Sequence, residues 1–221
     1  MITAMIMSGN EEVARIDEQF HVTEFTDKAP VLIQKDRFSY WLKEKIIDHT
    51  RTHSRLLKKI FGFTGKTEQE ISFHMRARCV TDNYWIRFPE EDHLTFDQIE
   101  EQFTDEFYTV VLSGDSTKTD MRTKRLTFDL TTNGSLEKGW KRDTSANEWI
   151  LIKNEWDQNR AMSELISADI SKAFGLKTAT YFYIEDIIVG TKDFTEGKFN
   201  FEFGESFCYE EEDIKIKFNK K

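Results

Sequence analysis

The chain has 221 residues, 38% hydrophobic and 32% charged, with 19 Phe, 5 Trp, 2 Pro and 10 Gly. That balance fits a folded chain of one large or two small domains and excludes a disordered tail. The net charge of −9 argues against a whole-surface affinity for nucleic acid, and no apolar run approaches the ~18 residues of a membrane span.

From the N-terminus, Ile2–Met7 and Val13–Ile16 flank Ser8-Gly9-Asn10, which predicts a β-hairpin. Residues 1–8 are apolar but lack a basic leader, so they read as a strand and not as a signal peptide. Val31–Gln34, after Pro30, reads as a third extended piece. From Phe38 the period becomes helical, through Phe38, Trp41, Leu42 and Ile46, then Leu56, Leu57, Ile60 and Phe61. Two short helices are expected, broken at Asp48-His49-Thr50 and closed by Gly62. Between Trp41 and Ile60 lie Lys43, Lys45, Arg51, Arg55, Lys58 and Lys59. A solvated helix face is the plain reading of these cations, and a patch for an acidic partner the functional one.

A further helix is expected within Lys66–Ala77, then a turn at Thr81-Asp82-Asn83 into an extended Tyr84-Trp85-Ile86. Thr95, followed by acidic residues, reads as a helix start. Gly114–Arg125 is polar and is the best candidate boundary. Beyond it, Leu126–Leu130 is strand-like, and Trp140–Arg142 and Trp149–Lys153 flank a turn at Asp143–Asn147, a second hairpin. A helix follows over about Asn159–Phe174, with Met162, Leu165, Ile166, Ala168, Ile170, Ala173 and Phe174 as its apolar positions and Gly175 as its stop. Thr178–Ile184 and Ile187–Thr191 are β-rich. The tail is acidic over Glu210–Asp213 and basic from Lys215.

Few residue groups suggest chemistry. Cys79 and Cys208 form no Cys-x-x-Cys motif and read as two free thiols of a reducing compartment. His49 and His53 have a metal-compatible spacing, but the expected helix break separates them, so no metal site is assigned. Trp85, Trp140, Trp149 and Trp156 read as core and hairpin aromatics before they read as base-stacking platforms. The informative pattern is a loop, a strand ending near Lys153, and a helix carrying Glu164. A kinase nucleotide site needs a strand lysine for the phosphates, a helix carboxylate to orient it and a glycine loop as cover. On spacing alone, a surface Lys and a solvated Glu explain the same residues.

TTNGSLEKGWKR, WILIK and SELISADISKAFGLKTATY together resemble the N-lobe of HipA-like serine/threonine kinases of toxin–antitoxin modules. FSYWLKEKII, TDNYWIR and LTFDQI resemble the leaders of such proteins, and IVGTKDFTEGKFNFE the segment after the lobe. The resemblance implies a glycine loop at Thr132, Gly134 and Lys138, a phosphate-binding lysine at Lys153 and a helix glutamate at Glu164. It implies ATP with Mg²⁺ as ligand, held weakly. Family kinases continue into a helical C-lobe with catalytic and metal-binding carboxylates. Nothing here reads H-x-D-x-x-x-x-N or D-F-G, and the tail after Phe207 has no room for that lobe. The chain is thus expected to be a shortened relative or a fragment, with no catalytic residue and no activity as this chain alone.

The expected fold class is α+β: a strand-and-helix leader over 1–113, a linker over 114–125, a kinase N-lobe-like antiparallel sheet with one packed helix over 126–207, and a charged tail over 208–221. Two functions are open. One is a HipA-like lobe that retains weak nucleotide binding. The other is a phage or mobile-element protein that acts through an unknown protein partner as an inhibitor or decoy. Either is expected in the cytoplasm, without direct nucleic-acid or membrane contact.

Overall fold

A computed structural model of the chain describes residues 2–102 except 48 and 50, residue 112, and residues 136–192 except 147. They form an α+β arrangement with two four-stranded sheets, antiparallel at every strand pair. The predicted strand-like Leu126–Leu130, the Gly114–Arg125 boundary and the charged tail lie outside these residues.

The first sheet has the order β3-β2-β1-β4 and is built from β1 (Ile2–Ser8), β2 (Glu11–Asp17), β3 (Val22–Phe25) and β4 (Tyr84–Arg87). Gly9 turns the first hairpin at φ +56°, a conformation that costs glycine little. Both faces of β1 are covered. Ala4 and Ile6 join one apolar cluster with Ile16, Leu32, Trp41 and Ile86, while Met7 joins another with Leu57, Phe63, Ile71 and Trp85. A strand buried on both sides needs no polar alternation, which explains the apolar run ITAMIM.

Short helices supply the covering layers: α1 (Val31–Gln34), α2 (Phe38–Lys43), α3 (Ser54–Ile60), α4 (Glu68–His74) and α5 (Phe96–Glu100). The helix starting after Thr67 has a full capping box. Glu70 N–H donates to Thr67 Oγ1 at 3.2 Å and Thr67 N–H donates to Glu70 Oε2 at 2.7 Å. Thr95 and Gln98 repeat the device, as the helix-start pattern predicts. Two details differ from the sequence reading. Val31–Gln34 is a helical turn after Pro30, because burial of Leu32 and Ile33 overrides the β preference of Val31 and Ile33. And β3 forms where no strand is predicted, with three of its four residues exposed at the sheet edge.

The second sheet has the order β5-β6-β8-β7, from β5 (Lys138–Asp143), β6 (Glu148–Asn154), β7 (Tyr181–Glu185) and β8 (Ile188–Lys192). Asp143 shapes the first turn by accepting from Ser145 N–H at 2.9 Å. One long helix, α6 (Gln158–Ala173), connects β6 to β7. Asp157 caps its start by accepting from Arg160 N–H at 3.0 Å, and Gly175 stops it at φ +74°. The apolar positions expected to pack do not all do so. Ala161 and Ala168 are buried, while Met162, Ile166, Ile170 and Phe174 are exposed.

One of the first sheet's two apolar clusters extends into the second sheet. Trp140 belongs to the cluster of Met7, Leu57 and Trp85, and Trp149 and Leu151 pack against it. No helix among the described residues is long and apolar enough to cross a membrane.

Candidate functional site

The site begins with strand register. Lys138 on β5 faces Lys153 on β6, Trp140 faces Leu151, and Arg142 faces Trp149. Facing residues of an antiparallel pair point to the same side, so the two lysines emerge together at one end of a face whose middle is apolar and whose other end carries Arg142. The apolar part closes on the first sheet's core through Trp140, Trp149 and Leu151. Like charges placed opposite each other repel, so this register requires carboxylates nearby.

Two are supplied to Lys153. Its Nζ donates to Glu164 Oε1 on α6 at 2.8 Å and lies 2.6 Å from Glu155 Oε1, just past the end of β6. The contact with Glu164 is the strand-to-helix pairing expected from the sequence. The contact with Glu155 is an ion pair without hydrogen-bond geometry, and Glu155 is only 4% exposed. Burial alone pushes the Lys153 ammonium down, but Glu155 and Glu164 outweigh it, and the group titrates above an ordinary lysine. A lysine raised on folding stabilises fully at neutral pH and loses that contribution only as pH climbs through its raised value. Burial, reinforced by the charge of Glu164, also pushes the half-buried Tyr181 phenol up.

Beside the two carboxylates, and not lined by Lys153 or Lys138 themselves, lies an open cavity of about 470 Å³, bordered by Glu155, Arg160, Ser163, Glu164, Thr178 and Tyr181. The volume is within the range of small-molecule sites. Its lining offers hydroxyls, one guanidinium and two carboxylates, which suits a polar ligand. Trp156 stands at the start of α6, 64% exposed, with the Arg160 guanidinium 4.2 Å from its ring centre. It is therefore not a core aromatic, unlike Trp85 and Trp140.

The other side of Lys138 is tied to the first sheet's helices. Arg51 donates to the Lys138 carbonyl. Glu137 lies 3.2 Å from His53 Nε2 and accepts from Asn154 Nδ2 at 2.8 Å. His53 thus serves a contact between the two halves. Among the described residues no group of three or more His, Cys, Asp or Glu is arranged to hold a metal ion.

Of the residues singled out in the sequence, Lys153 and Glu164 are in contact and Lys138 faces Lys153 across the hairpin, while Thr132 and Gly134 lie outside the described residues. Glu155, Glu137, Arg160 and Tyr181 were not anticipated. Glu155 had a readable signal, since two residues beyond Lys153 at the end of a strand is the same side of the chain. Glu137, His53 and Arg51 had none, because their meeting depends on how the two sheets pack. Comparison with protein-family models, with curated proteins and with solved structures finds no match to this chain.

Proposed function

We propose that the second sheet and its helix form a HipA-like, kinase N-lobe-type unit that holds nucleotide phosphates weakly and is catalytically incomplete within these 221 residues. The observation that carries this reading is the Lys153–Glu164 pair at 2.8 Å, with Lys138 facing Lys153 across the hairpin. Two cations on one strand pair beside a helix carboxylate are what a phosphate-positioning site needs. Among the described residues no second lobe covers the other side of the base, whereas well-held small ligands bury roughly 70–90% of their surface. ATP with Mg²⁺ is therefore expected to bind no tighter than about 0.1–1 mM, or around 4–5.5 kcal/mol. Calorimetry checks this, with Lys153→Met expected to abolish the heat. No phosphate should reach the chain itself or a generic protein from labelled ATP. A low-micromolar constant, or label incorporation that Lys153→Met removes, overturns the reading.

One observation favours a second reading. Glu155 already occupies the space beside the Lys153 ammonium, at 2.6 Å, and an incoming phosphate must displace or tolerate a buried carboxylate. If ATP does not bind at all to a folded chain, the unit acts through protein–protein contact, as an inhibitor or decoy of the phage or mobile-element type. Pull-down from a host lysate with mass spectrometry then identifies the partner. An acidic chain suits competition for a nucleic-acid groove on that partner.

A further inference from the structure

One stripe of α6 forms a wall of the cavity beside the second sheet. Arg160, Ser163, Glu164, Ser167 and Ser171 border it, at the three- and four-residue spacings of a single helix face. Neither Lys153 nor Lys138 lines it, so its ligand is independent of any phosphate held at those lysines.

The charges on this wall are held apart. Arg160 and Glu164 are one turn apart, where opposite charges ordinarily pair. The Arg160 guanidinium instead lies 4.2 Å from the Trp156 ring centre, and Glu164 turns to Lys153 at 2.8 Å. A cation and an anion therefore border one cavity without neutralising each other. The carboxylates are also in excess, because Glu155 and Glu164 share the single ammonium of Lys153, at 2.6 and 2.8 Å. Glu155 is 4% exposed, and its Oε1 accepts no hydrogen bond. A buried carboxylate oxygen without a donor is costly, so a ligand that brings a donor is favoured.

This arrangement selects among ligands by charge. A phosphate or a plain carboxylate meets two carboxylates here, and a polyamine meets the Arg160 guanidinium. A zwitterion matches both ends. We propose that the cavity binds a free α-amino acid with a polar side chain. Its ammonium donates to Glu155 and Glu164, and its carboxylate accepts from Arg160. Ser167, Ser171 and Thr178 border the rest of the cavity with hydroxyls, which both donate and accept, and these serve the polar side chain.

Saturation-transfer NMR on the full chain tests this, with L-serine, L-asparagine and L-glutamine as probes. At least one should bind with a constant below about 10 mM. Its N-acetyl derivative lacks the ammonium and its α-amide lacks the carboxylate. Each should bind at least about tenfold more weakly, through loss of one charge-assisted contact. Arg160→Gln should weaken the amino acid by a similar factor, and Ser167→Leu, which fills the cavity, should abolish binding. Both positions are exposed, so both variants should keep the wild-type thermal midpoint, which establishes that they are folded. Millimolar ATP should not displace the probe, so a failure of ATP to bind leaves this site standing. No binding of any of the three probes to the folded wild type overturns the proposal. Equal binding of either derivative, or an unchanged constant in Arg160→Gln, overturns it as well. So does displacement by ATP, because the cavity then serves the nucleotide.

Discussion

Lys45 illustrates how one residue's role depends on its partners. By spacing it belongs to a helical basic run and reads as part of a solvated face. It is instead buried, with its ammonium paired to Asp82 and donating to Cys79 Sγ at 3.2 Å, while the Cys79 thiol donates to Asp82 Oδ2 at 3.0 Å. Burial pulls the ammonium down, but Asp82 and Cys79 outweigh it and Lys45 titrates above its ordinary value. Burial, then Asp82, pushes the Cys79 thiol up, so it is the inert kind of cysteine. The cluster holds α2 to the turn before β4. Asp82→Asn keeps an acceptor for Tyr84 N–H, now 2.9 Å from Oδ1, but removes the charge and replaces Oδ2, which accepts from Lys45 and Cys79, with an amide donor. It should lower stability by about 3–5 kcal/mol, because a buried ammonium is left unpaired. Lys45→Met/Asp82→Asn should recover part of that loss. Urea unfolding of the three proteins decides it. A single-variant loss below about 1 kcal/mol would show that the pair is open to water.

At the scale of elements, the second sheet depends on one close approach. The Phe182 ring of β7 lies on Gly190 of β8, where an added Cβ would overlap three ring carbons. The ring fills the space left by the missing side chain of a central strand. Gly190→Ala should therefore cost about 1–3 kcal/mol through overpacking, and Phe182→Leu in the same chain should relieve much of it. Equal thermal midpoints for Gly190→Ala and the wild type would sink this account. Sequence alone reads Gly190 as an ordinary interruption of IVGTK, since the identity of the facing residue depends on register. The same element shows the limit of periodicity for α6. Its apolar residues were legible, but not the side on which they face the sheet. Alanines permit a closer approach than Met162 or Ile166, so the small side docks and the large side remains outward.

Across the whole molecule, the decisive contact is Trp140. It lies on the second sheet but is buried with Met7, Leu57, Phe63 and Trp85 of the first. The two halves therefore share a core, and His53–Glu137 and Arg51–Lys138 contacts border it. Trp140→Ala should lower stability by about 3–5 kcal/mol, the range for emptying a buried aromatic site. Hydrogen exchange should show amides of β1 to β4 and of β5 to β8 losing protection together. Loss confined to β5 to β8 would mean that the shared cluster contributes little to the first half.

The sequence by itself determined much of the local structure of the chain: both hairpins, the helix start at Thr95, and the long helix with its stop at Gly175. These depend on neighbours within about a dozen residues, where turn chemistry, capping and period act directly. Tertiary structure alone decided the rest. Val31–Gln34 became helical because the core needed Leu32 and Ile33. Lys45 became a buried cation because Asp82, far along the chain, lies beside it. Glu155 became the second carboxylate on Lys153 because the chain turns inward after β6, where its N–H donates to the Ile187 carbonyl at 2.9 Å. Such outcomes follow from which surfaces meet, and long-range packing overrides local preference wherever burial of a large side chain or pairing of a charge outweighs a propensity of about 1 kcal/mol or less.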